Sequence, residues 1–265
     1  MGSARAARAL LGSSSVLGAQ GLSVFGVAIG WLGPAILAGW LAGAFVTSRL
    51  LPRVGVPASY ALELYPVALL AGTLGAKGWA VLETFLEPGG PSWRQVLESR
   101  SGATYYGGLM LGAAAVFAKI LWDGREPGAV TSAVAPGLAL AQAFGRVGCL
   151  LVGDDYGAPT SLPWGIAFPH GLPPTDLPVH PTQIYESLWG AAMAVFLGRR
   201  VAPGRLVFAE YLVLEGAGRF AVEFLRTNPR TLGGLSTSQA LALVWLAAGS
   251  AVLWRRRRSA KRSLC

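Results

Sequence analysis

Nine ionisable side chains fall inside or at the ends of long apolar runs: Glu63, Lys77, Glu83, Arg146, Glu186, Glu210, Glu215, Arg219 and Glu223. A charge at membrane depth costs about 2.5 kcal/mol or more on insertion scales, so such groups pair with one another or line polar cavities. Arg146 stands where the apolar stretch Ala133 to Phe144 gives out, and the segment after it carries Gly148, Gly153, Asp154, Asp155 and Gly157. The plain alternative for Arg146 is a stem lying along apolar surface with its charged head at the interface. Glu215, Arg219 and Glu223 follow one another at intervals of four and share one helical face, where an internal ion pair would neutralise the arginine. Two guanidiniums near the outer ends of adjacent spans, Arg146 and Arg219, would make an anion clamp. The planar fork of arginine suits phosphate better than the point charge of lysine, and the abundant anion at that depth is a phospholipid headgroup.

Other chemistries find little support. His180 opens an apolar run within His-Pro-Thr-Gln-Ile-Tyr-Glu, where Pro181 suits the first turn of a helix, and His170 sits in a Pro/Gly loop. No metal-ligand constellation, phosphate-binding P-loop, Gly-x-Ser-x-Gly elbow or dinucleotide fingerprint occurs, so neither a metal nor a cofactor is expected. Cys149 and Cys265 are far apart and imply no disulfide framework.

The elements that must position these residues are membrane spans. Of the 265 residues 53% are hydrophobic and 13% charged, against about 25% charged in an ordinary soluble domain, and the mean hydropathy is +0.49. Apolar runs near 31–49, 60–85, 104–122, 129–150, 182–198, 206–224 and 237–254 mostly approach the roughly 20 residues that a helix needs to cross a bilayer core. The fold expected is an all-α polytopic membrane protein of about seven transmembrane helices with small extracytoplasmic loop and arm regions. A single integral membrane domain would occupy 1–265: a pre-membrane segment (1–30, extended or hairpin-like over 20–30), a seven-span body (31–254) and a basic cytoplasmic tail (255–265). Residues 86–103 read as a loop or interfacial arm and 151–180 as a long polar loop. The first thirty residues do not read as a cleaved signal peptide, since Ser13 to Ser15, Gln20 and several glycines interrupt the apolar core after Arg5 and Arg8. Gly39-xxx-Gly43 and Gly108-xxx-Gly112 are small-residue patterns that let helices approach closely. The net charge of +9 owes much to Arg255–Arg258, Lys261 and Arg262, the flank of a span rather than a nucleic-acid surface. Arg49 and Arg53, Lys119 and Arg125, and Arg199, Arg200 and Arg205 fall on the same side as that tail. The positive-inside rule then puts the C-terminus in the cytoplasm and the N-terminus outside, with Arg146 and the loops 151–180 and 225–236 toward the outer face.

Seven pieces in order, over roughly 25–254, resemble the prolipoprotein diacylglyceryl transferases. They are Phe25 to Gly33, Gly75-Ala76-Lys77, Tyr106-Gly107-Gly108-Leu109, Gly145 to Gly157, His180 to Glu186, Gly218-Arg219-Phe220 with Glu223 and Arg226, and Leu235 to Gln239. The resemblance implies an enzyme of the bacterial cytoplasmic membrane. It would move diacylglyceryl from phosphatidylglycerol to the lipobox cysteine of a preprolipoprotein, forming a thioether and releasing glycerol 1-phosphate. Its partners would be that lipid, the signal peptide and membrane lipids, and no nucleic acid. By the same resemblance Arg146 and Arg219 hold and stabilise the phosphate, with Gly107, Gly108, Asp154, Gly157, His180, Gln183 and Glu223 around the substrate. The pattern departs at Leu32, Tyr106, Cys149 and Glu215, where the family carries Tyr, His, Asn and Tyr. Tyr106 is a poorer base than the histidine but a usable hydrogen-bond donor. Glu215 could partly replace a base or simply neutralise Arg219, and the second is the expectation. Buried in apolar surroundings, Cys149 is read as inert. Two other readings share these residues: a non-catalytic phospholipid- or lipoprotein-binding relative, and a transferase with the same donor and another acceptor.

Overall fold

In the computed structural model the chain is mostly helical, and the structure describes residues 17–18, 21–24, 27–86, 92–98, 104–231 and 233–262. The expectations for Arg5, Arg8, Ser13 to Ser15, Gln20, Phe25 and Cys265 lie outside these residues. Three short strands, β1 (Leu17–Gly18), β2 (Gly21–Val24) and β3 (Val27–Gly30), pair antiparallel in that order, matching the hairpin expected before the first span. Seven long helices fill the seven apolar runs: α1 (Leu32–Leu50), α2 (Ala61–Leu86), α4 (Tyr105–Trp122), α5 (Pro127–Val152), α6 (Thr182–Arg200), α7 (Val207–Val222) and α8 (Thr237–Arg262). Among the described residues three stretches are long and apolar enough to cross a membrane, Leu32–Val54, Pro127–Val152 and Thr237–Ser259, and Gly107–Trp122 is a shorter apolar helix. Large apolar side chains such as Leu37, Leu41 and Phe45 on α1, and Leu70 and Leu74 on α2, face outward. In water such a surface would be a liability; a lipid surround accounts for it.

Two features differ from the sequence reading. The arm expected over 86–103 contains a short helix, α3 (Trp93–Glu98), opened by reciprocal bonds between Ser92 and Gln95. The polar loop expected over 151–180 begins inside α5 and carries β4 (Ile166–Phe168) and β5 (Thr175–Val179), an antiparallel pair. Period-2 alternation is weak there because Pro178 and Asp176 interrupt it.

The chain forms two compact units. The first comprises Met1–Gly43, Ala135–Arg200 and Val207–Cys265, and the second Ala44–Val134 and Val201–Leu206. In the first, small residues set the helix spacing. A Cβ at Gly39 would lie 2.8 Å from the Ala141 carbonyl and from Phe144 Cβ, so α1 meets α5 backbone to backbone. Gly216 does the same for α7 against α8, where a Cβ would lie 2.6 Å from the Ala242 carbonyl. In the second unit α2 packs on α4, with Gly72 and Gly75 facing Gly108 and Gly107. The Thr104 N–H bonds the Ala76 carbonyl at 3.1 Å, and Lys77 Nζ donates to the Val96 carbonyl of α3 at 2.9 Å. At the far end of this pair Lys119 bridges Glu63 (2.9 Å) and Asp123 (2.8 Å), and the Tyr60 hydroxyl donates to Asp123 at 2.7 Å.

Gly39→Leu should therefore force α1 from α5 and cost about 1–3 kcal/mol, whereas Gly33→Ala, with nothing within 4 Å, should be nearly silent. Thermal unfolding of the purified protein in detergent reads both.

Candidate functional site

Three arginines of the first unit converge on one carboxylate. Glu186 lies one turn into α6, behind the Pro181 that opens the helix, and is 6% exposed. Its Oε1 accepts from Arg219 Nη1 of α7 at 2.8 Å and lies 3.3 Å from Arg146 Nη2 of α5. Its Oε2 lies 3.4 Å from Arg226 Nη1, just after the tight turn Glu223–Leu225 that ends α7. The two arginines of the expected clamp thus meet at a single oxygen, and a third guanidinium joins them. A buried carboxylate is tolerable only with such pairing, and removing one member leaves an uncompensated charge.

Two further carboxylates complete the cluster. Glu223 Oε2 pairs with Arg219 Nη2 at 3.1 Å, while its Oε1 accepts from Ser236 Oγ (2.8 Å) and Asn228 Nδ2 (2.7 Å). Ser236 is also the N-cap of α8: its Oγ accepts the Gln239 N–H and Gln239 Oε1 accepts the Ser236 N–H, both at 3.1 Å. The Ser-x-x-Gln piece is therefore a capping box that carries one hydroxyl into the charged cluster. Ser238 Oγ takes the remaining contact of Arg219 Nη2, at 3.0 Å. Asp155 closes the outer side, with Oδ2 at 2.8 Å from Arg146 Nη1 and Oδ1 at 2.5 Å from Arg226 Nη2. Its backbone is left-handed at φ 59°, a conformation that aspartate tolerates better than most residues but that still carries a cost.

The loop is held from behind by the start of α6. Thr182 Oγ1 donates to the Asp155 carbonyl (2.8 Å) and Gln183 Nε2 to the Asp154 carbonyl (2.6 Å). Gly157 passes between His180 and Leu225, bonding the His180 carbonyl at 2.9 Å, and a Cβ there would lie 2.5 Å from the Leu225 carbonyl. Burial opposes ionisation of both neighbouring aspartates, with opposite outcomes. Arg226 and Arg146 overcome it at Asp155 and hold that carboxyl below the usual carboxylate range. At Asp154, bonded to the Cys149 thiol rather than to a guanidinium, burial prevails and the carboxyl is pushed up.

Of the expected residues, Arg146, Arg219 and Glu223 stand within the cluster, and Asp154, Gly157 and Gln183 shape the loop beside it. His180 caps that loop, its buried Nδ1 without a hydrogen-bond partner among the described residues. Tyr106, Gly107 and Gly108 belong to the second unit, in the first turn of α4. Gly107 and Gly108 face α2, so close packing explains these glycines directly. The expectation that Glu215 neutralises Arg219 is corrected. Arg219 is paired with Glu186 and Glu223, while Glu215 Oε1 accepts from Gln142 Nε2 at 2.8 Å and its buried Oε2 has no hydrogen-bond partner among the described residues. The sequence reading assigned no site role to Glu186, Asp155, Arg226 or Gln142. A signal for the first existed: Thr182, Gln183 and Glu186 share a helical face, and a lone carboxylate on an apolar helix needs a cation.

These features define a helical protein with apolar helices long enough to cross a membrane and a buried guanidinium–carboxylate centre. A model of the prolipoprotein diacylglyceryl transferase family matches residues 20–255. A phosphatidylglycerol–prolipoprotein diacylglyceryl transferase of Clostridium tetani is 33% identical over 241 residues, 85% of this chain and 92% of that one. An enzyme named phosphatidylglycerol–prolipoprotein diacylglyceryl transferase 2, from Clostridium perfringens, is 36% identical over 203 residues, 71% of this chain and 76% of its own length. The Gloeobacter violaceus counterpart is 29% identical over 252 residues, 91% and 93%. The chain belongs to the prolipoprotein diacylglyceryl transferase family.

Glu186→Gln should destabilise the protein by about 3–5 kcal/mol, since three guanidiniums lose a shared counter-charge. Glu63→Gln, at a half-exposed pair, should shift the melting temperature far less. Because the folded carboxyl of Asp155 titrates below its unfolded value, its stabilisation is complete above the ordinary carboxylate pKa of about 3.9 and drains as pH falls through the depressed one. The melting difference between wild type and Asp155→Asn should accordingly be flat from about pH 8 to 5 and shrink only below about pH 4.

Proposed function

We propose that the chain transfers the diacylglyceryl group of phosphatidylglycerol to the lipobox cysteine of preprolipoproteins. The observation that carries this reading is the convergence of Arg146, Arg219 and Arg226 on Glu186, in a chain of this family. In the reaction the cysteine sulfur attacks the terminal glyceryl carbon. A carbon–sulfur bond forms, the carbon–oxygen bond to phosphorus breaks, and glycerol 1-phosphate leaves with the bonding pair. Negative charge gathers on the departing phosphate, where Arg146 and Arg219 stabilise it without reorganising, because Glu186 already fixes both guanidiniums. The thiolate is the competent nucleophile, so the thiol must surrender a proton. We assign that proton to Glu215. Arg219 pairs directly with Glu186 and Glu223 instead, and one Glu215 oxygen has no hydrogen-bond partner among the described residues. Tyr106 is assigned a hydrogen-bonding role on the substrate, and Gly107 and Gly108 a packing role that brings α4 to α2.

The body is taken as one integral membrane domain of seven spans in the bacterial cytoplasmic membrane. The basic flanks Arg49/Arg53, Lys119/Arg125, Arg199/Arg200 and Arg255–Arg258 support a cytoplasmic C-terminus and an extracytoplasmic N-terminus. Within that orientation the cluster faces the leaflet from which a signal peptide presents its lipobox.

Purified protein in detergent, given phosphatidylglycerol and a lipobox peptide, should yield lipidated peptide and glycerol 1-phosphate in equal amounts. Arg146→Ala and Arg219→Ala should each lower the rate by about 100-fold or more. Glu215→Gln should lower kcat more than Tyr106→Phe does. Wild-type rates in both arginine variants would remove the phosphate assignment.

A further inference from the structure

Three guanidiniums (Arg146, Arg219, Arg226) and three carboxylates (Asp155, Glu186, Glu223) make up the cluster, which is therefore charge-neutral as it stands. A phosphodiester brings another negative charge, and a balanced, largely buried cluster admits it only if one carboxylate gives way. Glu186 is held by all three arginines, and Glu223 by Arg219, Asn228 and Ser236; both are buried. Asp155 differs in each respect. Its side chain is 48% exposed, its side-chain partners among the described residues are Arg146 and Arg226, and its backbone is tied separately through the Thr182 hydroxyl. The carboxylate can swing out while the loop stays in place.

We propose that Asp155 is a displaceable counter-ion that sets the affinity of the site for phosphate. It holds Arg146 and Arg226 apart from other anions, yields to the headgroup diester, and reclaims both guanidiniums as the phosphate leaves. The proposal rests on the reading that this cluster takes the headgroup phosphate. It has a consequence for turnover. The released glycerol 1-phosphate is a monoester with about −1.5 to −2 charges, so an arginine cluster would retain it more tightly than the incoming diester. A carboxylate that competes for the same two guanidiniums opposes that retention. Asp155 is thus a specificity-determining and product-releasing residue, and its left-handed backbone is the geometry that aims one carboxylate at two arginines from different elements.

The test is direct binding of glycerol 1-phosphate to the purified full chain in detergent by titration calorimetry, paired with inhibition of transfer by the same compound. Asp155→Asn keeps the shape and tolerates the left-handed backbone. It should bind glycerol 1-phosphate about tenfold more tightly than wild type, the scale of one charge-assisted contact no longer competed for. In the same variant KM for phosphatidylglycerol and kcat should both fall. Asp155→Gly, also at ease at positive φ, should tighten binding too, and serves if the asparagine variant folds poorly. Unchanged or weaker binding in both variants overturns the proposal, because a merely structural aspartate would loosen the arginines. A wild type that transfers nothing while both variants still bind more tightly would overturn the transferase reading and leave the counter-ion role standing.

Discussion

A carboxylate buried at the start of a helix is costly alone, and Glu186 is made tolerable by guanidiniums from three separate places in the chain. Arg146 comes from the end of α5, Arg219 from α7, and Arg226 from the extended segment after it. Each reaches Glu186 only if its element stops at the right height. The terminus of α5, the tight turn that ends α7 and the proline-led start of α6 are thereby tied to one point. A membrane offers little hydrophobic drive between helices, since lipid tails are as apolar as leucine. Polar convergence of this kind, with close backbone approach at Gly39 and Gly216, is what fixes the arrangement of the first unit.

Around that point the supporting residues act on the backbone as much as on the charges. Thr182 and Gln183 bond two successive carbonyls of the 153–157 loop, so the helix that carries Glu186 also positions the loop that carries Asp155. Ser236 caps α8 and bonds Glu223 with the same hydroxyl, which joins the start of the last long helix to the partner of Arg219. The arginines of the cluster are thus oriented by groups that are themselves tied to helix starts, the kind of preorganisation that electrostatic catalysis requires.

Much of this was legible beforehand. Long apolar runs located seven helices to within a few residues at most ends, because hydrophobicity sustained over about 20 residues is a strong signal. Arg146 and Arg219 stood out because charge in such a run is costly. Asp155 was not legible, because its role depends on a left-handed backbone that puts its side chain between two arginines, one 9 residues before it and the other 71 after it, which form no local pattern. The packing roles of Gly107 and Gly157 were hidden for a similar reason: a glycine that admits another backbone looks the same in sequence as one that admits a ligand. Glu215 was misread because four-residue spacing to Arg219 proves only a shared face, and Glu186, on another helix, occupies that guanidinium.

Asp154 and Asp155 show how finely the loop divides its labour. Adjacent in sequence, they lie on either side of a backbone that turns through the left-handed region at Gly153 and again at Asp155. One carboxyl points to the Cys149 thiol and resists ionisation; the other meets two guanidiniums and is held ionised. Had both faced the arginines, the cluster would carry an excess negative charge and repel a phosphate. Had neither, Arg146 would keep only its longer contact to Glu186, at 3.3 Å, and Arg226 only one at 3.4 Å, leaving two guanidiniums poorly fixed. A single aspartate on the open side balances the third guanidinium and keeps the arginines ordered, through a half-exposed carboxylate that an incoming anion can replace.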